Sequence, residues 1–159
     1  MGKHPVISIS LKGINAASYE AAFELTVKTI KGAVQKAGFL KMSDKLDEDE
    51  KKEYRAILDE NMSEATLFWS LKNLSELLEK HYETKVILLI DEYDVPLAKA
   101  FENGYYDKMV FLIRNLLEQT LKTNNSLKFA VMTGCMRISK ESIFTGLNNL
   151  KVLSITDER

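Results

Sequence analysis

The fold is decided by the stretch VILLIDE, residues 86–92. Five apolar residues without alternation are followed at once by the carboxylates Asp91 and Glu92. A strand that is apolar on both faces is typical of the centre of a parallel sheet covered by helices. We therefore predict a central parallel strand over residues 86–90, with two acidic side chains at its carboxyl end.

Strands and helices alternate on either side of this stretch. Residues 6–11 (VISISL) are β-branched and alternating and predict a first strand. From the N-cap candidate Ser18, apolar residues at helical spacing predict a helix that Gly38 closes: Phe23, Val27, Ile30, Val34 and Ala37. A second helix begins near Ser63, with Leu67, Leu71, Leu74 and Leu78 as its apolar stripe.

The remaining elements complete an α/β pattern. After a short helix near Pro96, a third amphipathic helix runs from Tyr106 to Leu121, and strands follow at Leu127 to Met132 and Val152 to Ile155. Such alternation is typical of an α/β fold with right-handed crossovers. We expect a three-layer sandwich with a mostly parallel sheet.

The amino-acid composition limits the classes of protein to which the chain can belong. The 159 residues are 45% hydrophobic and 28% charged, with a net charge of -1, so we expect one soluble domain without general attraction to nucleic acid or acidic membranes. A single cysteine closes no internal disulfide, which favours a reducing compartment. No apolar run is long enough for a membrane span and no signal peptide is visible, so the expected location is the cytoplasm.

An acidic segment interrupts the apolar pattern. Between Asp44 and Glu60 there are eight acidic and four basic residues. Such a run is typical of a solvated helix or a mobile insertion, and we predict an acidic helical insertion there. A site for a cation or a basic partner is the alternative.

Two polar clusters follow strands, where open parallel sheets bind ligands. The first is Asp91-Glu92, with Asp94 nearby, and the second runs from Thr133 to Arg137. Adjacent carboxylates suit phosphoryl chemistry on a magnesium nucleotide, since one carboxylate holds the metal and the next orients water. Thr133 would hydrogen-bond that water or the terminal phosphate, and Arg137 would supply positive charge.

Each of these residues also has a purely structural interpretation. Thr133 would then cap a turn, Arg137 would form a surface salt bridge, and Asp94 would form a turn rather than bind metal. No histidine lies near Cys135 in the sequence, so we expect neither a Cys-His nucleophile nor a zinc site.

Three segments together carry a resemblance to a known family: HPVISISLKG, VILLIDEYDVPL and KFAVMTGCMRISKESIFTGLNNL. They resemble the AAA-ATPase-like family of bacterial proteins, whose members usually carry a C-terminal nuclease-like domain of the PD-D/E-XK type. The resemblance implies a P-loop NTPase core of the ASCE/AAA-like kind. It also implies roles for four residues: Asp91 as the magnesium carboxylate of Walker B, Glu92 as the water-activating carboxylate, Thr133 as a sensor and Arg137 as a sensing arginine. Family signature residues with a structural role would be Ser142, Phe144, Gly146, Leu147 and Asn148.

The sequence departs from that family at one motif. The phosphate-binding loop G-x-x-x-x-G-K-[ST] is absent from the 159 residues, and in the family it lies upstream of the strand that is residues 6–11 here. We therefore expect residues 1–159 to be a partial domain with the Walker B and sensor portions. Mg²⁺ and ATP would bind only in the parent protein, and nucleic acid only through a nuclease-like region outside this sequence.

The same resemblance predicts an open sheet edge. In the family the P-loop strand lies between the sensor strand and the last strand of the sheet. Without it, the strand Lys128 to Met132 would expose an unpaired edge, so we predict self-association through that edge.

Two other functions stay open. The chain would be a non-catalytic interaction module if its ATPase motifs are relics. A metal-dependent nuclease would use Asp91, Glu92 and Asp94, but E-x-K spacing occurs only at residues 50–52 and 83–85, outside the strand. The sequence also lacks a basic run with aromatic residues for DNA.

Overall fold

Three parallel strands form the sheet. The computed structural model of the chain describes residues 3–59 and 61–134. Within them, β1 (Val6–Ser10), β2 (Val86–Asp91) and β3 (Leu127–Met132) are arranged in the order β1-β2-β3. The predicted central position of β2 is thus confirmed, and the strand extends to Asp91. The predicted strand at Val152 to Ile155 and the five signature residues at positions 142–148 lie outside the described residues.

Helices connect the strands, as the α/β pattern of the sequence predicts. They are α1 (Tyr19–Gln35), α2 (Glu48–Ile57), α3 (Glu64–Tyr82), α4 (Val95–Glu102) and α5 (Tyr106–Leu121), with a 3-10 helix at Gly38–Met42. In the described ranges, none of these helices is long and apolar enough to cross a membrane.

Side-chain caps set where two of the long helices begin. The Ser18 hydroxyl accepts a hydrogen bond from the Ala21 N–H at 3.3 Å, and the Ser63 hydroxyl accepts one from the Thr66 N–H at 3.2 Å. The prediction that Gly38 closes α1 is wrong. The helix ends at Gln35 and is capped by Lys36 in right-handed geometry, and Gly38 instead begins the 3-10 helix.

One face of the sheet carries the core. Ile7 and Ile9 of β1 are aligned with Leu88 and Ile90 of β2, and all four side chains are buried in one cluster with residues of α1, α3 and α5. Burial of these apolar side chains supplies the main driving force for the fold.

The opposite face of the sheet is exposed in the described part of the chain. Its exposed apolar side chains, with their exposed fractions, are Val6 (53%), Leu89 (37%), Phe129 (47%) and Val131 (45%), and the half-buried Ile87 lies among them. The α/β class and the parallel sheet are therefore confirmed. Residues 3–59 and 61–134 supply the sheet and one helical layer, and they do not supply the other outer layer of the expected sandwich.

The acidic segment forms a helix with an apolar inner face. Tyr54 and Ile57 of α2 are fully buried, and the Tyr54 hydroxyl donates a hydrogen bond of 2.7 Å to the Val34 carbonyl. Burial also raises the pKa of Tyr54. The inner face of the helix is thus part of the core, and its charged residues lie on the outer face.

Candidate functional site

The two carboxylates lie at the carboxyl end of the central strand. Asp91 is the last residue of β2, and its side chain is exposed. Its backbone carbonyl accepts a hydrogen bond of 2.9 Å from the Leu11 N–H, which fixes the end of β2 against the end of β1. Glu92 follows and is half-buried. The carboxylates thus lie at the edge where parallel α/β sheets bind their ligands.

Thr133 joins the two carboxylate positions. It directly follows β3, and its hydroxyl donates a hydrogen bond to Asp91 Oδ1 and accepts one of 3.3 Å from the Glu92 N–H. Its own N–H donates to the Ile90 carbonyl at 2.9 Å, which continues the pairing of β3 with β2. Three residues predicted from the ends of two strands therefore meet in the structure.

Glu92 has a backbone conformation that the sequence does not indicate. Its φ of 53° lies in the left-handed region, which costs an L-residue with a side chain about 1–2 kcal/mol. Such a conformation persists only where neighbouring contacts hold it, and it is common at functional sites. Here the hydrogen bond to Thr133 holds the Glu92 N–H on one side of the turn.

Beside these residues, the backbone at Thr133 and Gly134 lies very close to Tyr93. The Tyr93 N–H donates a hydrogen bond of 3.1 Å to the Thr133 carbonyl, and the Tyr93 ring is 5% exposed. Gly134 faces that ring so closely that a Cβ at position 134 would lie 2.6 Å from Tyr93 Cε1. Glycine is the residue that permits such an approach. Gly134 in the Thr133-Gly134 pair is the only sequence signal for it.

Asp94 occupies a different environment from Asp91. Its side chain is 3% exposed, and it precedes α4 without making a side-chain capping bond. Across residues 3–59 and 61–134 there is no cluster of three or more metal-liganding side chains. The described residues therefore do not support a metal site that combines Asp94 with Asp91 and Glu92.

Within the described ranges neither Asp91 nor Glu92 forms a salt bridge. No basic side chain there neutralises the negative charge of the two carboxylates. Carboxylate oxygens are hard ligands, and Mg²⁺ typically takes one or two of them and keeps several waters. The donor set therefore fits the protein side of a magnesium site. Arg137 and Cys135 lie outside the described residues.

Comparison with known proteins gives one family. The model of a family described as "Predicted AAA-ATPase" matches residues 1–144. An uncharacterised protein encoded in the vnfD 5′ region of Azotobacter chroococcum mcd 1 is 31% identical over 80 residues, which cover 45% of this chain and 14% of that protein. This chain therefore matches only a small part of that curated relative. No solved structure matches the chain significantly.

Proposed function

Because the chain belongs to the AAA-ATPase-like family of predicted ATPases, we propose that Asp91, Glu92 and Thr133 form part of an ATP-hydrolysing site. The observation that carries the proposal is the Thr133 hydroxyl, which hydrogen-bonds both the Asp91 side chain and the Glu92 backbone. This bridge holds the Asp91 carboxylate and the backbone of Glu92, so the two adjacent side chains leave the chain from fixed positions. Fixed positions are needed if one carboxylate is to hold a cation while the other acts on water.

Each carboxylate has a distinct role in this proposal. Asp91 would hold Mg²⁺ through the metal's water shell, and the bound metal would neutralise charge on the phosphates. Thr133 donates to Oδ1 of Asp91 and thereby limits rotation of the carboxylate. Glu92 orients a water molecule and accepts its proton as that water attacks the terminal phosphate.

Two further parts complete the proposed site. Arg137 would provide positive charge toward the phosphates, from this subunit or toward a neighbouring one. The phosphate-binding loop would come from sequence outside these 159 residues, since they contain no G-x-x-x-x-G-K-[ST] motif. Mg²⁺ and ATP are thus ligands of the longer protein, and a nuclease-like region is proposed as the part that would contact nucleic acid.

The test uses Glu92→Gln in a protein extended to include the upstream coding sequence. We expect ATP affinity to be retained and hydrolysis to fall at least about a hundredfold, because the amide cannot accept the proton. The matched control is Glu76→Gln, on the exposed face of α3, which should hydrolyse ATP at the unaltered rate. Equal hydrolysis by both variants would contradict the assignment of Glu92, and no hydrolysis by the unaltered extended protein would favour an interaction module.

The 159-residue chain gives a second measurement. Titration calorimetry with magnesium-ATP should show negligible binding, because the phosphates lack their backbone cradle. Binding at micromolar strength would show that the phosphate-binding residues lie within this chain, and the proposal of an external loop would then be wrong.

A further inference from the structure

We propose that Gly134 is a positioning residue, whose missing side chain lets the end of β3 lie against Tyr93 and so holds Thr133 on Asp91 and Glu92. The functional consequence of this packing rests on the proposed ATPase site. The packing itself does not, because it concerns only contacts within the chain.

The steric evidence is specific to this glycine. A Cβ on Gly134 would lie 2.6 Å from Tyr93 Cε1, 3.0 Å from Tyr93 Cδ1 and 2.9 Å from Asp94 Oδ1. The first of these distances is shorter than carbon atoms adopt in contact. By contrast, a Cβ at Gly13, Gly32 or Gly38 would meet nothing within 4 Å.

Space rather than backbone freedom is the reason for glycine at position 134. Among the described glycines, only Gly104 has a positive φ. Gly134 therefore does not have the left-handed backbone that favours glycine. The atoms nearest to a methyl group at position 134 would belong to Tyr93 and Asp94.

The contact is linked to the site through consecutive hydrogen bonds. Thr133 precedes Gly134 and accepts from the Tyr93 N–H with its carbonyl and from the Glu92 N–H with its hydroxyl. The Tyr93 ring is buried, so a methyl group at position 134 cannot be accommodated by turning the ring into solvent. The end of β3 must move away instead, and Thr133 would move with it.

Amide hydrogen exchange of the 159-residue chain tests this positioning directly. In Gly134→Ala, we expect the Glu92 and Tyr93 amides to exchange at least about tenfold faster relative to the Ile87 amide, because overpacking disrupts their bonds to Thr133. Ile87 is the internal reference, since its N–H donates to the Pro5 carbonyl at the other end of β2. Gly13→Ala is the matched control and should leave this ratio unchanged.

A second-site variant separates positioning from a loss of stability. Tyr93→Val keeps an apolar side chain but lacks both ring carbons that the new methyl group would meet. Adding it to Gly134→Ala should restore part of the slow exchange of the Glu92 amide, because the two ring contacts are removed while the contact with Asp94 Oδ1 remains. If Gly134→Ala leaves the Glu92 and Tyr93 ratios unchanged, or if the double variant shows no restoration, the positioning role is wrong.

Kinetics of the extended protein test the functional consequence. We expect Gly134→Ala to lower kcat at least about tenfold without changing ATP affinity, and Tyr93→Val to recover part of the loss. If the Glu92 amide exchanges faster in Gly134→Ala but Glu92→Gln hydrolyses ATP at the unaltered rate, the positioning role stands and the proposed ATPase site is rejected. If exchange is unchanged in Gly134→Ala but Glu92→Gln loses hydrolysis, only the positioning role is rejected.

Discussion

At the scale of single residues, two glutamates share a left-handed backbone for different reasons. Glu83 has a φ of 59° and ends α3, where helices often adopt this conformation. Glu92 has a φ of 53° but follows a strand, and its N–H is bonded to a threonine that directly follows another strand. The first conformation belongs to a helix end, and the second belongs to the candidate site.

Replacement by glycine tests whether both positions are strained. Glu83→Gly and Glu92→Gly should each raise the free energy of unfolding by about 0.5–1 kcal/mol, because relief of the left-handed strain exceeds glycine's entropic cost. Urea denaturation measures both. Glu76→Gly is the control, since glycine in the exposed middle of α3 should lower stability by about 1 kcal/mol. A loss of that size in Glu92→Gly would show that its backbone is not strained.

The sequence predicts the site residues but not their conformation. Asp91 and Thr133 are identifiable because each lies at or directly after the end of an apolar strand, and parallel pairing brings the two ends together. The left-handed backbone of Glu92 and the space requirement at Gly134 depend on packing between segments about 40 residues apart. No local pattern encodes that packing.

At the scale of the elements, α2 combines a charged outer face with a well-defined start. The Asp47 side chain accepts a hydrogen bond of 2.8 Å from the Glu50 N–H, and the Glu50 side chain accepts one of 2.8 Å from the Asp47 N–H. Glu50 also accepts a hydrogen bond of 2.6 Å from Lys80 on α3. A reciprocal cap and an ion pair thus anchor a helix that composition alone identifies as solvated surface.

Removing this cap should destabilise the protein. We expect Asp47→Ala to lower the free energy of unfolding by about 1 kcal/mol, because the Glu50 N–H loses its partner. Asp49→Ala is the control within the same turn, since Asp49 has an exposed side chain and a 3.8 Å salt bridge to Lys52, and it should change stability by a few tenths of a kcal/mol. Equal effects in thermal or urea unfolding would show that charge, and not the cap, stabilises the start of α2.

Apolar stripes predict three of the long helices, whereas in α2 the charge pattern predicts a helix but hides its buried face. The stripes of α1, α3 and α5 are visible in the sequence, and all three helices are confirmed. In α2 the buried positions Tyr54 and Ile57 are the only two among many charges, so periodicity is too short to detect. The prediction that Gly38 ends α1 is wrong because a glycine after an apolar stripe is equally compatible with a helix end and with a tight turn that follows the helix.

At the scale of the whole molecule, the sheet is open at β3 in the described part of the chain. β3 pairs with β2 on one side, and its other edge has no partner strand there. Phe129 and Val131 add exposed apolar side chains to that edge. Parallel pairing and the central β2 follow from the sequence, whereas the exposure of the second face does not, because apolar strands normally indicate two covered faces.

Self-association through this edge stays a prediction. Open strand edges with apolar side chains pair with other chains, so the average mass from light scattering should rise with concentration. Val131→Lys should reduce the association, because it places a charge at the β3 edge. Val6→Lys changes the same sheet face at the opposite edge and should not reduce it. A monomeric mass at all concentrations would contradict the prediction.

The pairing of β1 with β2 also has a consequence for the order of folding. Val6 is aligned with Ile87, so the first strand has no partner until more than half of the described chain has been made. At a synthesis rate of about 5–20 residues per second, the delay is about 4–16 s. Helices form in microseconds or less, so α1 to α3 can form long before the sheet exists. The newly made β1 therefore stays unpaired until β2 is made, and the apolar faces of α1 and α3 are fully covered only after α5, which shares their core, has also been made.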